Sequence, residues 1–297
     1  MSGLTEATTP DGRTLEVLIG GADDGYPLLF HSGTPSAAAP FDRLDDAFVK
    51  AGLRLVTYSR PGYGGSTPRD LDGPAYRIVD DVPDSVAVLD HLGVEDFVTL
   101  GWSGGGPRAL ACAALLPNRC RAAATLAGVA PYDADGLDWS AGMGEENVED
   151  FQAAVQGREV YTKLLEKTLP PVFEATPEQL VSAFGGLVTD VDAAFITGDF
   201  AEYLSRVFGR AGAQGIIGAG EDGLAIVSHW GFDVGDITVP VAIWQGRHDA
   251  MVPFGHGEWL AANVAGAQAH LLDNEGHPSL FAQIDAILTD TRDLAGV

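Results

Sequence analysis

The feature that most constrains this chain is a regular alternation between short apolar segments and longer segments whose apolar residues recur at helical spacing. In the first part of the chain, the strand-like segments are 13–19, 28–30, 53–59, 96–102 and 122–129. The helix-like segments between them are 41–51, 75–92 and 104–116. Such alternation predicts an α/β fold, in which helices cover both faces of a mostly parallel sheet. The first of these strands is expected at the edge of the sheet.

A second feature is the interruption of this alternation between residues 131 and 235. This stretch is acidic and glycine-interrupted, and it has helical spacing at 145–156, 161–168, 177–184 and 200–208. The glycine-rich residues 212–223 are predicted to form a mobile loop. The alternation resumes with strands at 241–245 and 269–272 and helices at 254–264 and 278–289. We therefore predict one core domain, residues 1–130 and 236–297, with a mainly helical cap inserted at 131–235.

The third helix-like segment, 104–116, follows strand 96–102 directly, and the junction between them reads Gly101-Trp102-Ser103-Gly104-Gly105. A Gly-x-Ser-x-Gly sequence at a strand-to-helix junction is typical of a nucleophile elbow, in which a strained turn exposes the serine hydroxyl. The two outer glycines let strand and helix approach each other. We predict that Ser103 is a nucleophile and that the Gly104 N–H, at the start of a helix, stabilises a developing oxyanion.

A serine nucleophile needs a base, and the base needs an acid that orients it. The loop after strand 241–245 contains Asp249, and the loop after strand 269–272 contains His277. These two residues are the predicted acid and base, and Asp133, which follows the strand before the cap, is the competing acid. The other histidines are placed on elements or loops that suit the role less well: His31, His91, His229, His248, His256 and His270.

A second oxyanion donor is expected in the loop after strand 28–30, which reads His31-Ser32-Gly33-Thr34-Pro35. Thr34 N–H is the predicted donor, because this loop follows the short strand at the position where a second backbone donor is needed. This loop, the segment Arg60-Pro61-Gly62-Tyr63-Gly64, the elbow and the two C-terminal loops together resemble the capped α/β-hydrolase superfamily. The resemblance spans the chain except for the cap.

Within that superfamily the core is similar to proline iminopeptidase-like and haloperoxidase-like hydrolases and to small esterases. The resemblance implies the α/β-hydrolase fold and an acyl-serine route, since haloalkane dehalogenases and epoxide hydrolases carry aspartate where this chain has Ser103. It also implies structural roles for His31 and Arg60, which hold the oxyanion loop through hydrogen bonds. Ser32 makes that loop one residue longer than usual, which leaves Gly33 or Thr34 as the donor.

The cap is expected to cover the site and to supply part of a substrate pocket. Trp102, Gly33, Trp139 and Met143 are the predicted substrate-binding residues, although Trp102 is also expected to pack behind the elbow. Further candidates are aromatic, and only a few of them should reach the ligand: Phe151, Tyr161, Phe173, Phe184, Phe195 and Phe208. Glu145, Glu146 and Glu149 would bind a substrate ammonium in an aminopeptidase, but a solvated acidic helix face explains them as well.

Composition restricts the partners. The chain has 17 Lys and Arg against 42 Asp and Glu, a net charge of −25, which repels phosphodiester backbones and anionic membranes. Cys112 and Cys120 form neither a disulfide framework nor a metal-binding spacing. The first residues lack a signal peptide pattern, and no apolar stretch is long enough to span a membrane, so a cytoplasmic protein is expected.

The predicted function is hydrolysis of small or medium-sized carboxylic esters through a Ser-His-Asp triad. The elbow differs from the Gly-Gly-Ser-Trp-Gly sequence of the peptidase group, which favours an esterase over a proline iminopeptidase-like amidase. A weakly catalytic ligand-binding protein is the third hypothesis. The expected partner is a small-molecule substrate, with no cofactor, metal or nucleic acid, and the resemblance leaves a homodimer open.

Overall fold

A computed structural model of the chain describes residues 3–297. Within these residues a single sheet has the strand order β1-β2-β4-β3-β5-β6-β7-β8. The pairs β1–β2 and β2–β4 are antiparallel and the remaining pairs are parallel. The strands are β1 (Gly3–Thr8), β2 (Thr14–Gly21), β3 (Tyr26–His31), β4 (Leu53–Tyr58), β5 (Phe97–Trp102), β6 (Cys120–Leu126), β7 (Val241–Gly246) and β8 (Gln268–Leu272).

The helices divide into two groups. Those of the sheet core are α1 (Asp42–Ala51), α2 (Val82–His91), α3 (Gly106–Leu115), α11 (Phe254–Asn263) and α12 (Ile284–Ala295). Those between β6 and β7 are α4 (Glu145–Val155), α5 (Arg158–Thr168), α6 (Pro170–Phe173), α7 (Leu180–Phe184), α8 (Asp190–Phe195), α9 (Gly198–Ala211) and α10 (Ile217–Val227). None of the helices within residues 3–297 is long and apolar enough to cross a membrane. The predicted α/β architecture is confirmed.

Adjacent apolar residues of the central strands face opposite sides of the sheet, as the two-residue period of a strand requires. Leu28 packs in one buried cluster with residues of α1 and α12, whereas its neighbour Leu29 packs in another with residues of α2, α3 and α11. Both side chains are fully buried. Burial of one such leucine contributes about 2 kcal/mol, so the two layers together fix the sheet on which the loops are carried.

The N-terminal edge of the sheet differs from the prediction. The segment expected at the edge is β2, but β1 pairs with it from Gly3↔Ile19 to Thr8↔Thr14 and becomes the edge strand. β1 is mostly exposed and largely polar, with Ala7 as its buried residue. A strand with so little apolar content gives no clear periodic signal, and its pairing partner stabilises it instead.

The predicted mobile loop at 212–223 is wrong, because most of it belongs to α10. Glycine lowers helix propensity, which is why the sequence favoured a loop. In the structure the glycines allow close packing: a Cβ at Gly218 would lie 2.7 Å from the ring of Tyr63, and one at Gly223 would overlap the hydroxyl of Tyr161. The helix is therefore stabilised by tertiary contacts that larger side chains would prevent.

Candidate active site

Ser103 lies directly after β5, in a 3₁₀ turn formed by Ser103–Gly105 that leads into α3. Its φ of 55° is in the left-handed region, which is unfavourable for a residue with a side chain. The turn also requires small neighbours: a Cβ at Gly101 would lie 2.7 Å from Gly106 Cα, and one at Gly105 would lie 2.7 Å from Ser32 O. The local geometry is that of a nucleophile elbow.

His277 and Asp249 follow the neighbouring parallel strands β8 and β7. His277 Nδ1 lies 2.8 Å from Asp249 Oδ2, and both residues are buried. Asp249 Oδ1 accepts the backbone N–H groups of Met251 and Val252 at 2.8 and 2.7 Å. These bonds fix the carboxylate, and with it the imidazole. Asp133, the competing acid, is exposed.

The Asp249 carboxylate also affects the protonation of His277. Burial alone would lower the pKa of this imidazole, but the charge of Asp249 and the hydrogen bond outweigh burial and raise the pKa above its usual value. Nδ1 is occupied by Asp249, so Nε2 is the nitrogen that can exchange a proton with a reacting group. Ser103 and His277 line the same cavity, although no hydrogen bond joins them among the described residues. Such contacts often tighten only when substrate is bound.

The loop after β3 places Thr34 beside the elbow. A Cβ at Gly104 would lie 2.6 Å from Thr34 Oγ1, so the two predicted oxyanion donors belong to adjacent segments. Arg60 holds this loop by donating to Ser32 O and Gly33 O, both at 2.7 Å. The loop carbonyls are thereby turned toward the guanidinium.

The side chain of His31 makes different contacts from that of Arg60. Its Nε2 lies 3.8 Å from Cys112 Sγ, and its ring packs edge-on against Tyr58. Burial and the charge of Arg60 lower the pKa of His31 to about 3, so the ring is neutral. The only side-chain hydrogen-bond partner of the ring among residues 3–297 is Cys112, so the ring makes no hydrogen bond to the loop that Arg60 holds.

Asp222, a buried residue of α10, was not identified from the sequence. Asp222 Oδ2 accepts the Thr34 hydroxyl at 2.7 Å and the Tyr63 hydroxyl at 2.9 Å, and its carboxylate forms buried ion pairs with Arg60 and Arg108. Burial would raise the pKa of Asp222, but the two arginines hold it well below its usual value. An ionisable residue inside an apolar, glycine-rich stretch could have indicated a buried role for Asp222. The prediction of a mobile loop at 212–223 made an exposed position the expectation instead.

Arg108 links Asp222 to the elbow. Its guanidinium donates to Gly104 O at 2.7 Å, to Asp222 at 2.8 Å and to Asp81 at 2.8 Å. Arg108 is on α3, one turn after the elbow, and is almost fully buried. The Asp222 carboxylate of α10 is therefore connected both to the loop after β3, through Arg60, and to the elbow before α3, through Arg108.

Asp192, on α8, was also missed. It is fully buried and accepts the backbone N–H groups of His277 and Ser279, both at 3.1 Å. Burial raises the pKa of Asp192 despite these hydrogen bonds. The loop that carries His277 is thus held by a side chain from the segment between β6 and β7.

The elbow opens into a cavity of about 390 Å³ whose surface is mainly apolar. Gly33, Trp102, Ser103, Gly104 and His277 line its core side. Helices α4, α5, α6, α7, α9 and α10 line the opposite side. Of the aromatic candidates from this segment, those that line the cavity are Phe151, Tyr161, Phe184 and Phe208. Trp102 lies between the rings of His277 and Phe281, at centroid distances of 5.6 and 4.9 Å.

Trp139 and Met143 do not line this cavity, and their predicted role in substrate binding is not supported by their positions. The Trp139 indole donates to Ala130 O at 2.9 Å and packs edge-on against Phe151 and His256. Met143 is buried in the same apolar cluster. The Trp139 indole thereby holds Ala130 in the loop that follows β6. Phe173 and Phe195 likewise lie outside the lining.

The acidic residues at the start of α4 differ in whether they line the cavity. Glu146 and Glu149 reach the cavity lining, whereas Glu145 does not. Glu146 Oε1 accepts the Gly186 N–H at 2.8 Å, which ties α4 to the turn after α7. Within residues 3–297, no group of three His, Cys, Asp or Glu side chains is arranged to hold a metal ion.

Comparison with known proteins agrees with this geometry. A family model described as the alpha/beta hydrolase fold matches residues 26–282. The chain belongs to the α/β-hydrolase family. This α/β-hydrolase is 26% identical over 279 residues to a 2-hydroxy-6-oxononadienedioate/2-hydroxy-6-oxononatrienedioate hydrolase of Klebsiella pneumoniae, covering 93% of this chain and 89% of that protein.

Two further proteins illustrate the range of relatives. A bifunctional esterase/perhydrolase of Acinetobacter calcoaceticus is 29% identical over 260 residues, covering 83% of each chain. The crystal structure of a hydrolase from Pseudomonas aeruginosa superposes with a TM-score of 0.72 at 20% identity, covering 99% of each chain, and shows the fold. The relatives support hydrolase activity for this chain.

Proposed function

We propose that this α/β-hydrolase cleaves carboxylic esters of small or medium-sized molecules, with Ser103 as nucleophile, His277 as base and Asp249 as the orienting acid. The observation that carries the proposal is the 2.8 Å contact between His277 Nδ1 and Asp249 Oδ2 on the cavity that also holds the strained Ser103. The core domain, residues 1–130 and 236–297, would then supply the reacting groups, and residues 131–235 would form the cap.

The mechanism follows from the positions of these atoms. His277 Nε2 takes the proton of the Ser103 hydroxyl as its oxygen attacks the ester carbonyl carbon. The N–H groups of Gly104 and Thr34 stabilise the oxyanion, and the protonated imidazole is stabilised by Asp249. His277 then returns the proton to the departing alkoxide, which leaves an acyl-serine. His277 then deprotonates a water molecule, which attacks the acyl-serine carbonyl, and returns that proton to Ser103 Oγ as the C–O bond breaks, which releases the carboxylic acid and free Ser103.

The cavity supports an ester of modest size. A volume of about 390 Å³ lies at the lower end of the range for small-molecule pockets, and its aliphatic and aromatic lining suits an apolar acyl or alcohol chain. Glu146 and Glu149 in the lining are the observation that favours the second candidate, an amidase that recognises a substrate ammonium.

The experiment is hydrolysis of p-nitrophenyl esters across a series of acyl lengths, with Ser103→Ala as the blank. Turnover that requires Ser103, with an optimum acyl length, is the expected result. If no ester is turned over while an amine-bearing p-nitroanilide is, the amidase replaces the esterase. Absence of both, with ligand retention, would identify a binding protein.

A further inference from the structure

The cavity contains a polar pair remote in sequence from the groups proposed to react. Tyr161 Oη, on α5, donates to Asp150 Oδ2, on α4, at 2.8 Å, and both residues line the cavity that holds Ser103. Tyr161 is 3% exposed, so its hydroxyl has a fixed position between the two helices. The surrounding wall includes the apolar side chains of Leu164 and Leu165.

The hydrogen bonds of this pair leave one acceptor free. Asp150 Oδ2 is used by Tyr161, whereas Oδ1 has no hydrogen-bond partner within residues 3–297. Burial raises the pKa of Asp150 to about 6, so the carboxylate is still ionised at neutral pH. Asp150 is only partly buried and its Oδ1 is accessible, so a donor on a bound molecule can reach this oxygen and replace the water it loses when the cavity fills.

The Tyr161–Asp150 pair is connected to the proposed oxyanion loop through helix α10. A Cβ at Gly223 would overlap the Tyr161 hydroxyl, so Tyr161 lies directly against α10. The preceding residue of that helix, Asp222, accepts the Thr34 hydroxyl at 2.7 Å. One helix therefore contacts both Tyr161 and the loop that carries Thr34, and a substrate held at Ser103 can extend toward Asp150.

We propose that Asp150, held in place by Tyr161, is a specificity residue that accepts a hydrogen bond from a hydroxyl or ammonium group on the substrate. This inference rests on the proposed esterase function and names its substrate class: esters that carry a donor group several bonds from the scissile carbonyl. The plain apolar esters lack this donor and leave Oδ1 unpaired. A site built to pair with a donor discriminates strongly against analogues that lack it.

The test uses esters of equal length that differ in one terminal group. p-Nitrophenyl 6-hydroxyhexanoate is compared with p-nitrophenyl heptanoate, and 4-hydroxybutyl butyrate with pentyl butyrate, so that the donor lies on either side of the ester. The measured quantity is the ratio of kcat/KM for the hydroxylated ester to that for the plain ester. An ω-amino analogue of each distinguishes an ammonium from a hydroxyl.

In the wild type the ratio is expected to exceed one for at least one pair, and Asp150→Asn should lower it by about tenfold. Tyr161→Phe keeps the carboxylate but loses its orientation, so the ratio should fall less. Glu145→Gln, which changes an exposed acid of the same helix that does not line the cavity, is the matched control and should leave the ratio unchanged. An Asp150→Asn variant that hydrolyses plain esters normally and keeps the wild-type ratio would show that the pair only joins α4 to α5.

Binding separates this inference from the proposed function. The Ser103→Ala protein is titrated calorimetrically with the same ester pairs, with and without Asp150→Asn. Preferential binding of the donor-bearing ester that depends on Asp150, without turnover in the wild type, supports the subsite and rejects the esterase. Equal binding of both esters, with normal turnover in the wild type, rejects the subsite alone.

Discussion

The core and the helical segment between β6 and β7 contribute to the same cavity in different ways. The core places Ser103, Asp249 and His277 after the parallel strands β5, β7 and β8 of one sheet. The helical segment places two buried carboxylates on the loops around them: Asp192 accepts the His277 N–H, and Asp222 accepts the Thr34 hydroxyl. The proposed reacting groups therefore come from one region, and part of what holds their loops comes from the other.

The two carboxylates differ in what surrounds them. Asp222 is paired with the guanidinium groups of Arg60 and Arg108, and its pKa is lowered. Asp192 accepts backbone N–H groups with no arginine or lysine in contact among residues 3–297, and its pKa is raised. Removing the first leaves charges unbalanced, whereas removing the second leaves two neutral donors without an acceptor.

The largest expected effect is in the core. Asp249→Asn should lower kcat by about 10⁴-fold, because an amide at this position favours the wrong imidazole tautomer. The fold should persist, since the amide oxygen can still accept the Met251 and Val252 N–H groups. The measurement is steady-state hydrolysis of the best p-nitrophenyl ester. Asp133→Asn is the matched control, and a loss of activity there instead would transfer the acid role to Asp133.

The next effect concerns Asp222. Asp222→Ala should lower the free energy of unfolding by about 3–5 kcal/mol, because Arg60 and Arg108 are left buried without their shared counter-charge. Urea unfolding followed by circular dichroism measures the loss. Glu202→Ala, which removes an exposed carboxylate of the same segment, should cost little. Similar losses for the two variants would contradict the role assigned to the buried ion pairs.

A smaller loss is expected for Asp192. Asp192→Ala should lower the free energy of unfolding by about 1–3 kcal/mol, because two buried N–H groups lose their acceptor. The loop that carries His277 should shift, and kcat should fall by up to about 100-fold. Asp190→Ala, an exposed acid on the same helix, is the control. Unchanged kcat with reduced stability would separate anchoring of the fold from positioning of His277.

The pH dependence of stability should have opposite signs at the two positions. The lowered pKa of Asp222 means that its contribution is present above the unfolded value of about 4 and is lost as the pH falls through its folded pKa. The raised pKa of Asp192 means that its contribution is full below about 4 and is lost as the pH rises through its folded pKa. Destabilisation by Asp222→Asn should therefore grow from pH 3 to 7, and that by Asp192→Asn should shrink. Unfolding titrations at several pH values measure both, and parallel trends would refute the contrast.

The smallest effect is expected at the contact between the two regions. Thr34→Val removes the hydroxyl that Asp222 accepts but keeps the backbone N–H. It should lower kcat/KM several-fold, corresponding to about 1 kcal/mol for one hydrogen bond. Thr34→Ser should restore the wild-type value. If Thr34→Ser is as impaired as Thr34→Val, the lost methyl contacts, and not the hydroxyl, position the loop.

The sequence predicted the core well because its signals are local. A strand, a turn and a helix around Ser103 lie within a short stretch, and the loops with Asp249 and His277 each follow an apolar strand. Because those strands are parallel, the loops after them lie at the same edge of the sheet. Residues predicted to act together from their places after successive strands can therefore lie close together in space. β1 was not predicted because it is mostly polar. α10 was not predicted because its glycines favour a loop when the sequence is considered without tertiary contacts.

What the sequence by itself determined is the α/β core and the candidate triad and oxyanion residues. The tertiary structure decided which residues between β6 and β7 face the cavity, and it placed Trp139 and Met143 in the loop after β6, outside the lining. It also brought Asp192 to His277 and Asp222 to Thr34, pairs that are separated by 85 and 188 residues in the sequence. Helical periodicity shows that one face of a helix is buried, but it does not show which element that face packs against. Contacts between distant segments depend on how the helices pack on the sheet, and no local spacing encodes that packing.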